Sequence, residues 1–159
     1  MDTRTSPIPV RLESVRDALR SQGLSALLVP SSDPHISEYL PERWQGRVWL
    51  SGFTGSMGTL VVTTERAALF ADSRYWAQAE KELRGSGVEL VKIATGAATH
   101  HLEWIVANVA KGGTLAVDGQ VLGLAAAQQL KTALDAAGIT LRTSGDVLAS
   151  AWDDRPALP

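Results

Sequence analysis

The amino-acid sequence predicts an α/β fold: a mixed, mainly parallel sheet with flanking helices on both faces. Short apolar runs alternate along the chain with segments whose apolar residues recur at helical spacing. Glycines follow most of the helical segments, as expected for helix ends. Two neighbouring apolar runs are separated by only three polar residues, which indicates an antiparallel hairpin at one edge of the sheet.

Length, composition and charge narrow the class of protein. The chain has 159 residues, 45% of them hydrophobic and 20% charged, so it can fold around a single core. A formal net charge of -2 without a basic cluster argues against nucleic-acid binding. No apolar stretch approaches the roughly 20 residues of a membrane span, and the first residues lack a signal-peptide core. The absence of cysteine excludes disulfides and thiol chemistry and agrees with the cytoplasmic location that we expect.

The first predicted helix covers about residues 9–22 and ends at Gly23. Its inward stripe, spaced i, i+3 and i+7, consists of Leu12, Val15 and Leu19. The apolar run over 25–29, closed by Pro30, predicts a strand buried on both faces. A helix followed by a buried strand starts the α/β alternation.

The stretch from Pro30 to Gly58 differs from the rest of the chain. It is rich in Ser, Asp, Pro, Gly and Trp and shows no sustained period beyond a possible short helix near residues 36–40. Aromatic side chains, arginines and a histidine lie in it, a composition typical of loops that recognise a ligand or partner. A self-packed loop with its tryptophans at the edge of the core fits the same composition, so both interpretations stay open.

The predicted hairpin joins strands at 59–63 and 67–71. Asp72 or Ser73 can cap the helix that follows, over about 73–84. The apolar stripe of this helix consists of Trp76, Ala79 and Leu83. The remaining predicted segments are a strand at 88–93, a helix at 99–110, a strand at 114–117, a helix at 123–137, a strand at 139–142 and a short helix from Asp146.

Two clusters invite a ligand-site interpretation, and their spacing disfavours both. His100 and His101 are adjacent, so on a helix they point about 100° apart and cannot face one ion. They predict a solvated helix start instead. Gly52, Gly55 and Gly58 could line a phosphate loop, but this loop runs into a strand rather than opening a helix.

Arg74 and Tyr75 follow the hairpin at the predicted start of a helix. The helix dipole disfavours a cation there, so a nearby carboxylate or a ligand would explain Arg74. A plain exposed arginine is the more common case and is favoured here.

Four motifs stand out in order along the chain. They are Ser32-Asp33-Pro34-His35 with Ser37-Glu38-Tyr39, then Leu50 to Thr59, then Asp72-Ser73-Arg74-Tyr75, and finally Trp152 with Asp154-Arg155-Pro156. In this order and separation they resemble the N-terminal domain of the Xaa-Pro aminopeptidases (aminopeptidase P, peptidase family M24), best the larger cytosolic type. One departure is Ser73, where the family commonly has glycine; a positive φ there would strain serine.

The resemblance implies a creatinase/prolidase-type N-terminal domain with a ribonuclease H-like motif over residues 1–152. Residues 153–159 would be a linker towards a missing downstream domain. The full enzyme is then expected to release the N-terminal residue from peptides with proline second. Two divalent metal ions, usually manganese, would act in the downstream domain, held by two Asp, one His and two Glu. This chain is accordingly expected to carry no catalytic residue, metal or cofactor.

The same resemblance implies what the chain contributes. It is expected to cap the peptide site and to help form a homo-oligomer. Its expected partners are its own C-terminal catalytic domain and proline-containing peptides, with neither nucleic acid nor membrane. Five residues are candidates for shaping the mouth of the peptide site, in the same or a neighbouring subunit: His35, Trp49, Phe53, Arg74 and Tyr75.

Two alternatives stay open. This domain type also occurs without peptidase activity, including in a histone-chaperone subunit of the FACT complex, so a stand-alone peptide- or protein-binding module is one alternative. The creatinase or prolidase branch, which shares the fold, is the other. The stretches Ser51 to Ser56 and Asp154 to Pro156 favour the aminopeptidase over that branch.

Overall fold

A computed structural model describes residues 7–30, 45–55, 58–94, 100–119, 122, 124–145, 147–152 and 155. In these residues one sheet contains β1 Ala26–Val29, β2 Thr59–Thr63, β3 Ala67–Asp72, β4 Glu89–Ile93, β5 Thr114–Ala116 and β6 Thr140–Arg142. The α-helices are α1 Ile8–Ser21, α2 Gly46–Ser51, α3 Trp76–Glu82, α4 His100–Asn108, α5 Leu124–Ala137 and α6 Val147–Ala151. A 3-10 turn, Ser73–Tyr75, joins β3 to α3.

The sheet has the strand order β4-β3-β2-β1-β5-β6. β1, β2 and β3 form an antiparallel series. β4 runs parallel to β3, β5 runs parallel to β1, and β6 runs parallel to β5. Parallel pairings therefore outnumber antiparallel ones, and the predicted mixed, mainly parallel sheet is confirmed.

The hairpin of β2 and β3 lies in the middle of the sheet, so its expected place at an edge was wrong. An edge hairpin with one open face carries polar residues at alternate positions. β2 and β3 are instead buried along nearly their whole length. Their consecutive apolar residues were the signal for a central position, covered on both sides.

Helices cover both faces of the sheet. Because successive side chains of a strand point to opposite faces, β1 contributes Leu27 and Val29 to one core layer and Ala26 and Leu28 to the other. The first layer packs against α1, α2, α3 and α6, and the second packs against α4 and α5. The prediction of helices on both faces is confirmed.

The helical stripes were predicted with unequal success. In α1 all three predicted stripe residues are 1% exposed or less. The helix expected at 99–110 was predicted to turn Leu102, Ile105, Val106 and Val109 inward. Three of these residues are buried, but Val106 is 41% exposed because it lies one residue beyond the inward-facing position. None of the helices in the described ranges is long and apolar enough to span a membrane.

Helix α2 lies in the stretch that was expected to be irregular, which was wrong for residues 46–51. The helix has only six residues, and Gln45 provides no side-chain cap. Neither length nor a capping residue therefore marked it in the sequence. The short helix predicted near residues 36–40 lies outside the described residues.

The solvated start predicted for α4 holds for His100 but not for His101. His100 is exposed. The His101 ring is half-buried, with its centre 6.2 Å from that of Phe70 in an edge-to-face arrangement. Burial lowers the pKa of His101.

Candidate functional site

The candidate site is built on the chain that leaves α2 and on the turn that follows β3. α2 ends at Gly52, whose φ of 76° is a left-handed conformation that glycine adopts without strain. The Ser51 hydroxyl donates to the carbonyl of Arg47 at 2.6 Å and accepts from the backbone N–H of Phe53 at 3.1 Å. The chain therefore turns inward and places the Phe53 side chain in the core.

Two further glycines let the backbone lie close to the buried side chains. A Cβ on Gly55 would stand 2.2 Å from the Phe53 ring, and a Cβ on Gly58 would stand 2.8 Å from Nη1 of Arg47. Either contact would force neighbouring atoms to move, because protein interiors are close-packed. The glycines of this loop thus have a packing role that needs no phosphate.

Arg47 is a buried cation on the inner side of α2. The residue is 4% exposed, and its guanidinium carbon lies 5.1 Å from the centre of the Phe53 ring. Nη2 donates to the carbonyl of Gly55. Nε and Nη1 are buried and have no hydrogen-bond partner among the described residues. Burial, opposed by Tyr75 and Glu82, lowers the pKa of Arg47 to about 10, so the side chain stays charged at neutral pH.

The 3-10 turn presents Arg74 and Tyr75. The carboxylate of Asp72 accepts hydrogen bonds from the backbone N–H of Arg74 at 3.1 Å and from its Nε and Nη2, both at 2.9 Å. A carboxylate, one of the explanations considered for Arg74, is thus present, and these bonds lower the pKa of Asp72. The Arg74 guanidinium lies 5.0 Å from the centre of the Tyr75 ring.

Ser73 fits this turn without strain. Residues of a 3-10 turn have a negative φ, which any L residue can adopt. The glycine common in the resembling family is therefore not required at this position.

Two contacts join the turn, the loop and α3. The Phe53 and Tyr75 rings meet edge to face, with centres 5.8 Å apart. Glu82 accepts from the backbone N–H of Thr54 at 3.0 Å and from its hydroxyl at 2.8 Å, and Gln78 donates to both side chains. Burial alone would raise the pKa of Glu82, but the hydrogen bonds outweigh it and the pKa is lowered. An ionised Glu82 therefore holds the loop against α3.

Trp49 belongs to a different set of contacts. Its ring stacks on that of Trp152, with centres 4.9 Å apart and 17° between the planes. Arg11 lies 5.1 Å from the Trp49 ring and donates to the Trp49 carbonyl at 3.0 Å, and Arg155 lies 5.5 Å from the Trp152 ring. We call Arg11, Trp49, Trp152 and Arg155 the aromatic ladder.

The structure brings three of the five candidate residues together: Phe53, Arg74 and Tyr75. Trp49 lies in the aromatic ladder, and His35 lies outside the described residues. The Phe53 ring is 0% exposed and supports Tyr75 from within the core. The roles of all five residues at the mouth of a peptide site stay predictions.

Sequence reasoning missed Arg47 and Glu82. Arg47, Leu50 and Ser51, at i, i+3 and i+4, are buried on one face of α2. That spacing was the available signal for a buried arginine. No local pattern linked Glu82 to Thr54, because they are 28 residues apart in the chain.

The side chains that the structure describes do not fit a metal centre. In the ranges that the structure describes, no three His, Cys, Asp or Glu side chains lie close enough together to hold an ion. Asp72 and Glu82, the two carboxylates at the candidate site, are engaged by Arg74 and by Thr54 with Gln78. The described part of the chain therefore offers no ligand set for a dinuclear site.

Comparison with known families decides the classification. The profile of the creatinase/prolidase N-terminal domain family matches residues 11–149. The chain belongs to this family. Xaa-Pro aminopeptidase 2 of Sus scrofa is 34% identical to this creatinase/prolidase N-terminal domain over 151 residues, which make up 94% of this chain and 22% of that protein. The chain thus spans about a fifth of the length of the curated relatives it matches.

Solved structures agree with this classification. The X-prolyl aminopeptidase of Caenorhabditis elegans, described as a cytosolic enzyme with a di-nuclear active site, superposes with a TM-score of 0.84 at 30% identity. The match covers 96% of this domain and 26% of that enzyme. The N-terminal domain of the cytoplasmic peptidase PepQ from Mycobacterium tuberculosis H37Rv gives a TM-score of 0.65 at 22% identity over 89% of this domain and 98% of that chain. At that identity the likeness shows the fold alone.

Proposed function

We propose that this chain is the non-catalytic N-terminal domain of an Xaa-Pro aminopeptidase. The observation that carries the proposal is the unequal coverage: a relative of that name matches 94% of this chain, yet the chain spans only 22% of the relative. The C. elegans enzyme has the same relation, at 96% and 26%. In this proposal the remaining length of the enzyme contains the catalytic domain, which is the direct partner of this chain.

The full enzyme would release the N-terminal residue of peptides whose second residue is proline. The di-nuclear active site of the C. elegans enzyme supports two divalent metal ions in the catalytic domain, with manganese as the proposed metal. The description of that enzyme as cytosolic supports a cytoplasmic location here. The assembly we propose is a homo-oligomer in which this domain caps the peptide site.

Arg74 and Tyr75 are the residues we propose to face the peptide. The Arg74 side chain is 64% exposed, yet Asp72 fixes it through two guanidinium nitrogens. An aromatic ring packs well against proline, and an arginine donates to peptide carbonyls. Trp49 and His35 are proposed to contribute at the rim of the same site.

The first experiment compares this chain with the intact enzyme. Both are incubated with excess Mn²⁺ and an Xaa-Pro peptide while bound metal and released N-terminal residue are measured. We expect the intact enzyme to hold metal and turn over, and the 159-residue chain to do neither. Turnover by this chain with stoichiometric metal would contradict the proposal. An intact protein without activity would favour a stand-alone binding module of the same fold.

The second experiment tests Arg74 in the intact enzyme. Arg74→Ala should raise KM for short Xaa-Pro peptides several-fold, because an interaction with the bound peptide is lost. Arg84→Ala is the matched control, since Arg84 is also exposed and follows α3. Unchanged kinetics in Arg74→Ala, or equal changes in both variants, would remove Arg74 from the peptide site.

A further inference from the structure

Arg47 presents hydrogen-bond donors that the described residues do not use. The residue is only 4% exposed, and its Nε and Nη1 are buried without a partner in the part of the chain that the structure describes. The hydrogen bond found for its guanidinium runs from Nη2 to the Gly55 carbonyl. Buried donors are nearly always paired, so these two nitrogens require an explanation.

The surrounding groups do not compensate the charge of Arg47. Glu82, whose charge acts on Arg47, already accepts hydrogen bonds from Thr54 and Gln78. The Phe53 ring attracts a cation more weakly than a carboxylate does. A buried guanidinium without an anion destabilises a fold. A packing role alone therefore does not account for this residue.

We propose that Arg47 is the binding site for a carboxylate. The planar guanidinium can hold a carboxylate along an edge through two parallel N–H···O bonds, and each of two such edges includes one of the unpartnered nitrogens. The low exposure excludes water from the pair, which strengthens its electrostatic attraction. Nη1 packs close to Gly58, where a Cβ would stand 2.8 Å from it, so a side chain at position 58 would compete with a carboxylate for this nitrogen.

The carboxylate has two possible sources. One is the C-terminal carboxylate of a bound peptide, a choice that rests on the proposed function. The other is an Asp or Glu side chain of a domain that packs on this one. The site itself does not depend on the proposed function. A peptidase role for the whole enzyme and a carboxylate site at Arg47 can therefore fail separately.

The test follows the arginine Nε–H resonances of the ¹⁵N-labelled 159-residue chain during a titration with sodium acetate. Sodium chloride keeps the ionic strength constant. The Arg47 resonance should shift and saturate, whereas Arg74, which is exposed and held by Asp72, should not respond. Arg47→Lys keeps the charge but removes the fork, and should weaken acetate binding at least tenfold. An Arg47 resonance that does not saturate, or equal affinity in Arg47→Lys, overturns the proposal.

A second variant guards against an effect of misfolding. Gly58→Ala should weaken acetate binding while leaving the Arg47 charge in place, because its Cβ crowds Nη1. Gly85→Ala is the control for a destabilising glycine substitution away from Arg47, since a Cβ there meets nothing within 4 Å while its φ of 73° strains alanine. Equal acetate affinities in the two variants would overturn the placement of the site at Arg47.

The source is distinguished with the peptide Ala-Pro-Ala as free acid and as C-terminal amide. Tighter binding of the acid than of acetate, without binding of the amide, assigns the site to a peptide terminus. Acid binding no tighter than acetate assigns it to a side chain of the packed domain. Absence of binding by both acetate and the acid overturns the carboxylate site, whatever the result for the metal-dependent activity.

Discussion

Arg47 and Arg66 each lie against an aromatic ring, but their surroundings differ. The Arg47 guanidinium lies 5.1 Å from the Phe53 ring and that of Arg66 lies 5.3 Å from the Trp104 ring. Arg66 donates to both oxygens of Glu89, at 2.7 and 2.9 Å, and also to Asn108. Trp104 donates to the same carboxylate at 3.1 Å. Arg47 has one bond to a carbonyl and two buried nitrogens without partners in the described chain.

A contact with an aromatic ring therefore does not distinguish the roles of the two arginines. Their hydrogen-bond partners do. Arg66 has a structural role, because its bonds to Glu89 and Asn108 connect the end of the hairpin to β4 and α4. Arg47 is enclosed at a cost to stability, because a charge is removed from water without an anion. Such a residue is best explained by an interaction that this chain makes with something else.

The largest change in stability is expected when an added side chain crowds the buried residues around Arg47. Gly55→Ala should lower the free energy of unfolding by about 3 kcal/mol, since its Cβ would press on the fully buried Phe53 ring. Gly23→Ala, where a Cβ meets nothing within 4 Å, should cost only about 1 kcal/mol for its positive φ. Urea unfolding measures both. Equal losses would mean that the loop yields freely around Phe53.

Replacing each arginine by methionine should change the free energy of unfolding in opposite directions. Arg47→Met should raise the free energy of unfolding by about 1 to 2 kcal/mol, because an apolar chain of similar length replaces an unpaired buried charge. Arg66→Met should lower it by about 1 kcal/mol or less, since Arg66 and Glu89 are 48% and 41% exposed and water screens the pair. Losses of the same size in both variants would break the comparison and make Arg47 a structural residue.

The smallest expected effect is a pH dependence of stability, which arises from the residues packed around Trp104, the ring that Arg66 contacts. The Phe70 ring contacts both Trp104 and His101, and burial lowers the pKa of His101 below its unfolded value of about 6.5. Protonation therefore favours the unfolded chain. Stability is fully present above about pH 6.5 and falls as the pH drops below it.

Urea midpoints at pH 7.5 and 5.5 check this expectation. His101→Gln should flatten the difference between the two midpoints, while His100→Gln, at an exposed position, should leave it. At the candidate site the pKa values of Asp72 and Glu82 are lowered, so both carboxylates stay ionised over this range. A difference that survives in His101→Gln would place the titrating group elsewhere.

The sequence predicted those parts of the fold whose signals are local. The stripe of α1 and the buried run of β1 follow from residues within one segment, and both are confirmed. The place of the hairpin depends on which strands join its two sides. That pairing couples β1 to β2 across the long stretch between Pro30 and Gly58, which no local spacing reveals.

The candidate site divides in the same way. Asp72 and Arg74 are two residues apart, and the need for a carboxylate beside Arg74 could be stated from the helix dipole alone. The hold of Glu82 on Thr54 links distant segments and could not be predicted. The burial of Arg47 depends on a six-residue helix without a cap, too short for a periodic signal.

The aromatic ladder has a mechanical consequence. Just beyond α6, Arg155 lies over the ring of Trp152, which stacks on Trp49, and Trp49 in turn contacts Arg11 near the start of α1. Tension applied to the chain downstream of Arg155 is therefore transmitted first to the helices on one face, not to the hydrogen bonds of β6 at the sheet edge. A force at this end of the domain would have to separate these tryptophan and arginine side chains before it could pull β6 from the sheet.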